Sequence, residues 1–146
     1  MDLWQLITLI HMIGIALGVG GASVKFVLFM KSYRNNEFTP TYAMVAGPIA
    51  PLIPLGLVLL TVSGIGFFLI GYPEGSSLLV KHILVVALWI VGILIDKVYE
   101  PKYLTLAPKA GGTPTPEFLQ IRKRLMPLET VGTILFYAIV IIGVIM

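Results

Sequence analysis

Among the ionisable residues in or at the ends of long apolar stretches, His11, Lys25, His82, Asp96 and Glu129 stand out by type and spacing. Such groups are costly in hydrocarbon, and they mark functional sites by default. His11 precedes Lys25 by 14 residues (25 − 11), and His82 precedes Asp96 by the same 14 (96 − 82). On a helix that separation is about 21 Å of rise. If the two helices run parallel, with Lys25 and Asp96 level and paired, then His11 and His82 are level too. Two facing imidazoles are what axial ligation of a b-type haem requires, and the protein around such a haem tunes its potential. In that arrangement His11 and His82 are the ligands and Lys81 is a propionate partner. Trp4 and Gln5 lie near the same surface. Gly14 and Gly18 share the face of His11, where small residues admit a neighbouring backbone or a flat cofactor.

Other chemistry fits the same residues. Each His can hydrogen-bond across a helix interface instead, or hold another metal. Lys25 and Asp96 can be a packing pair or interfacial groups. Glu129 can complement the dipole of a helix start, or join Lys25 and Asp96 in a charge network. Isolated Met residues such as Met12, Met30 and Met44 carry no copper signature and read as filler.

The elements that must position these groups are transmembrane helices. The chain has 146 residues, 58% hydrophobic and 12% charged. Soluble domains carry roughly 25% charged residues. A span needs about 20 apolar residues, and four stretches qualify, at about 3–30, 45–71, 79–96 and 125–146. These predict one all-α domain, a four-transmembrane-helix bundle. Pro127 suits the first turn of the fourth helix. Pro48, Pro51 and Pro54 predict a distorted start to the second. The first stretch lacks a basic leader region and is long for a signal peptide, so it reads as a retained helix.

Nine of the ten basic residues, all but Lys81, fall at one end of this arrangement, in or beside segments 31–44 and 97–124. The positive-inside rule then predicts cytoplasmic loops 31–44 and 97–124 and both termini outside, in the cytoplasmic (inner) membrane of the cell. Basic charge serves topology here, not nucleic acid. Within the longer loop, Ala107–Pro116 reads as an extended connector, and residues 116–125 as a short basic helix on the membrane surface. Without cysteine there is no disulfide or thiolate ligand. No hydrolase motif or phosphate loop is present.

The halves of the chain look alike. His11, Gly21 and Lys25 match His82, Gly92 and Asp96 at an offset of 71 residues, and Pro48/Gly64 match Pro127/Gly143 at 79. This pattern points to a parallel two-helix repeat.

Leu-Ile-His-Met-Ile-Gly-Ile-Ala-Leu-Gly-Val-Gly-Gly (Leu9 to Gly21), Leu-Leu-Thr-Val-Ser-Gly (Leu59 to Gly64) and Lys81-His82 together resemble small bacterial four-helix membrane proteins. That group contains CopD-type copper-resistance domains and the HemJ type of protoporphyrinogen oxidase. The resemblance implies haem or porphyrin binding through a helix-1 His and basic residues around helix 3, roles that His11 and Lys81 could carry. It suggests copper as the alternative cargo. The leading expectation is therefore a haem b protein in electron transfer or quinol-linked redox chemistry, with a quinone or a redox protein as partner. The alternatives are an accessory subunit, packing with copies of itself or in a larger complex, and a copper or small-solute permease working through Lys25, Asp96 and Glu129.

Overall fold

The computed structural model describes residues 1–72 and 77–145. The expected final helical residue, Met146, lies outside them. The described chain is helical apart from short connections: α1 (Leu3–Arg34), a 3₁₀ turn (Asn36–Phe38), α2 (Thr39–Ile49), α3 (Leu52–Leu69), α4 (Ser77–Ile93), a π-helical segment (Leu94–Tyr99), α5 (Glu100–Leu106) and α6 (Pro116–Ile145). These make four helical runs long and apolar enough to cross a membrane. Both described chain ends lie at one end of the bundle, the terminal end, and the basic connections lie at the other, the loop end.

The helices outrun the apolar stretches at the loop end. Residues 31–44 are helical except at Asn35, and α5 continues the third run to Leu106. Residues 116–125 are the first turns of α6, not a separate surface helix. The hydropathy signal stops where charges begin. The helices continue because those charges find partners inside the protein. Pro127 accordingly sits within α6, so Glu129 lies well past the first turn and does not cap a dipole. The irregular connector is confined to residues 107–115. The proline-rich start of the second run does break: α2 ends at Ile49, and α3 begins after Pro51. Prolines at 51 and 54 occupy the opening of α3, where a missing N–H costs little.

Helix ends follow local chemistry. Asp2 and Gln5 form a reciprocal capping box at the start of α1. At the end of α3, Gly71 adopts φ +73°. Its N–H donates to Phe68 and that of Tyr72 to Phe67, both at 3.1 Å. This is a Schellman stop, which needs the left-handed residue that glycine supplies.

Within the bundle α1 packs mainly on α3, and α4 on α6, with α1 also against α6. Contact between α3 and α4 is sparse, and α1 and α4 lie diagonally across the bundle. The α1–α3 crossing is made of glycine. Gly14 and Gly18 face Gly56 backbone to backbone, so a Cβ at Gly56 would stand 2.6 Å from Gly18 Cα and 2.8 Å from Gly14 O. Between helices in lipid, where apolar burial gives little drive, close approach of this kind supplies the packing. Gly64, also on α3, meets open space. Gly56→Ala should therefore destabilise the bundle by about 1–3 kcal/mol through overpacking. Gly64→Ala should be neutral or slightly stabilising. Thermal unfolding in detergent compares the two.

Candidate functional site

Lys25 is the centre of the polar interior. It sits on α1, 2% exposed, between the other elements. Its ammonium donates a 2.9 Å hydrogen bond to Glu100 Oε2 at the start of α5. It also lies 3.0 Å from Glu129 Oε1 on α6, an ionic contact without hydrogen-bond alignment. Glu100 and Glu129 are both buried. One cation thus faces two carboxylates and ties three helices together. The two acids reach it by different routes. Glu129 projects from an uninterrupted helix. Glu100 follows the π-helical segment, where its N–H bonds back five residues to Ile95 O. Such widened turns often occur at functional sites.

The site is layered along the bundle axis. One turn beyond Lys25 toward the loop end lies a fully buried aromatic layer of Phe29, Tyr42, Tyr103 and Phe118. Tyr42 and Tyr103 meet edge to face at 5.5 Å, and Tyr103 and Phe118 pack with tilted rings at 4.9 Å. Beyond it, Ser32 Oγ contacts Thr39 Oγ1 at 2.9 Å and Tyr103 OH at 3.1 Å. Arg122 closes this layer with a 2.6 Å hydrogen bond to Asn36 Oδ1. On the other side of Lys25, toward the terminal end, lies a cavity of about 200 Å³. Ala22, Leu57, Leu88, Trp89 and Phe136 form apolar wall, and Lys25, Glu129 and Asp96 are the charged part. The cluster is therefore shut from the loop end by aromatic rings and faces a cavity on the other side.

Asp96 lines that cavity but makes no ion pair or hydrogen bond among the described residues. The expected Lys25–Asp96 pair is thus replaced by Lys25–Glu100, one helical turn further on. Of the expected network, Lys25 and Glu129 come together, and Asp96 stands beside them. Sequence reasoning missed Glu100 because it closed the third helix at Asp96. The signal available was the four-residue spacing, which puts Asp96 and Glu100 on neighbouring parts of one face.

The two histidines are held by different elements. His11 Nδ1 lies 2.9 Å from Ser63 Oγ on α3, and its ring meets Phe67 edge-on at 5.6 Å. His82 is exposed, with Nδ1–H donating 3.0 Å to Leu78 O on its own helix. Gly14 and Gly18 do not line a cofactor slot, because Gly56, Leu60 and Phe136 fill that face. Lys81 is half-buried, close enough for its charge to act on His11. Trp4 stacks with Tyr72 at 5.4 Å and packs against Phe67, an aromatic belt at the terminal end. Gln5 is used in the cap. No group of three or more His, Cys, Asp or Glu suited to a metal occurs among the described residues.

No family model, no curated protein and no solved structure matches this chain. The likeness to CopD-type and HemJ-type proteins rests on its short motifs alone.

The cluster makes a direct prediction about stability. Lys25→Met leaves two buried carboxylates without their cation, which should cost about 3–5 kcal/mol. Adding Glu100→Gln and Glu129→Gln to Lys25→Met should recover most of that loss. Unfolding of the single and triple variants in detergent measures both steps.

Proposed function

We propose that this protein is a small-solute permease whose working element is the Lys25–Glu100–Glu129 cluster at the floor of the four-helix cavity. The observation that carries this reading is the charge count. A single ammonium is buried with two carboxylates, and a third, Asp96, faces the adjoining space without a partner among the described residues. Buried charge left unbalanced is costly, so a proton or a cationic solute completes the cluster. Ionisable residues facing a bundle interior mark ion and solute paths in membrane proteins. The basic loop end is assigned to the cytoplasm by the positive-inside rule, which puts both termini outside and the aromatic layer on the cytoplasmic side of the cluster.

Transport by purified protein in liposomes tests this. Monovalent copper, organic cations, organic anions and zwitterions are offered with and without a pH gradient. Uptake of at least one class should exceed that of empty vesicles and fall to their rate in Glu129→Gln. Absence of any such class overturns the permease reading.

A second reading, a haem b protein in electron transfer, has one observation in its favour. Ser63 fixes Nδ1 of His11, and Nε2 makes no hydrogen bond among the described residues. Metal-ligating imidazoles are commonly held this way by the nitrogen opposite the metal. His82, exposed on α4, is the candidate second ligand. In protein made with ample haem, this reading expects a reduced-minus-oxidised b-type spectrum that either His11→Ala or His82→Ala abolishes. A flat spectrum removes it.

A further inference from the structure

The solute class follows from the chemistry of the cavity wall. We infer that the cavity between α3 and α4 binds a small lipophilic organic cation, a protonated amine on an apolar body, with its head on Asp96. The inference deepens the permease reading by naming its solute, and equilibrium binding tests it apart from transport.

Size comes first. A cavity of about 200 Å³ lies below the roughly 300–1,000 Å³ of pockets for drug-sized ligands. It holds a body of about one ring. Leu57, Leu88 and Phe136, all buried core side chains, form much of the wall. An apolar body is matched to that surface.

Charge decides the head. Lys25 is committed to Glu100 and Glu129. Asp96 is left as a carboxylate in an apolar setting with no partner among the described residues. Glu129, 5% exposed, also borders the cavity, and its Oε1 lacks a hydrogen-bond donor. Lys97 is the remaining cation of the lining, and it is exposed at the rim. An anionic head would repel Asp96 and a neutral hydroxyl would supply a donor without the countercharge, whereas an ammonium supplies both charge and donors. Trp89 stands in the same wall, its Nε1–H held by Thr61 Oγ1 at 3.1 Å. Indole is the best of the aromatic partners for a cation.

Access is from the lipid. The cavity is bounded by Ile53 and Pro54 of α3 on one side and by Gly92 and Ile93 of α4 on the other. These two helices touch least among the neighbouring pairs. Ile93 is itself 53% exposed, so the seam reaches the bundle surface. A solute that partitions into the bilayer can enter there, while the aromatic layer blocks the loop end. Gly92 gives a means of closing the cavity without disturbing its neighbours, because a Cβ there would meet nothing within 4 Å.

The experiment uses the full chain in lipid nanodiscs. Trp4→Phe leaves Trp89 as the sole tryptophan, since the chain has 2 Trp, and excitation beyond the tyrosine absorption band reads it alone. Benzylammonium, benzyl alcohol and benzoate are titrated separately. Benzylammonium should change Trp89 emission saturably and bind about tenfold or more tighter than benzyl alcohol, the gap expected of one hydrogen bond to a charged group. Asp96→Asn should reduce that gap to within about twofold, and Gly92→Leu should abolish saturable binding of both. Equal affinity for the amine and the alcohol in unaltered Asp96 protein overturns the inference, even if Asp96→Asn fails to fold. So does a gap that survives Asp96→Asn, or saturable binding that survives Gly92→Leu. Amine binding without transport of any solute would remove the permease reading and keep the site. Transport of another class without amine binding would do the reverse.

Discussion

A lysine ammonium held between two glutamates, with little water to share the charge, constrains most of what surrounds it. Lys25 ties α1 to α5 and α6, and those elements must keep their register to hold it. The cost of burying these three groups is large. It is offset only while the geometry stays good, so the neighbouring layers must be rigid. Four interlocked aromatic rings on the loop-end side provide that rigidity, while the other side opens on the cavity. The π-helical segment belongs to the same requirement, since it immediately precedes the turn that carries Glu100 to the lysine.

The two ends of the bundle are built on different physics. At the glycine crossing of α1 and α3, backbones approach within van der Waals distance, and close packing is joined by the His11–Ser63 hydrogen bond. At the loop end, side-chain hydrogen bonds and ring packing take over: Ser32, Thr39 and Tyr103 share one network, and Arg122 lies over the rings of Tyr33 and Phe118. Between them, contact between α3 and α4 is thin, and this is where the cavity lies. Tight seams on the other sides concentrate the available space at one seam and beside one charged cluster. This arrangement turns a structural ion cluster into a candidate binding site.

His11 illustrates how a side chain can be placed without being given a partner of the expected kind. Its depth along α1 follows from the sequence, but its direction follows from α3, which offers Ser63 and Phe67. The repeat between the halves has a counterpart in the two helix pairs, α1 with α3 and α4 with α6. The matched positions nevertheless do different work. Lys25 is paired and buried, while Asp96 borders a cavity. His11 is bonded across helices, while His82 is exposed.

Four spans, the gathering of nine basic residues at one end and the presence of ionisable groups among apolar ones are all written in composition and hydropathy. They depend on what each residue prefers as solvent, a property that needs no partner to be known. The proline-broken start of the second span and the irregular 107–115 connector were legible for a similar reason, since proline and glycine act on their own backbone. Partner choice was not legible. Helical spacing fixes depth and approximate face, yet Asp96 and Glu100 lie a turn apart on neighbouring parts of one face, and only the packing of α5 against α1 selects Glu100. The extension of helices through 97–106 and 116–125 was hidden likewise, because charged residues read as solvated until the partners that bury them are in place. Rotation about each helix axis, set by a glycine crossing and a lysine shared between two acids, was the decision left to the tertiary structure.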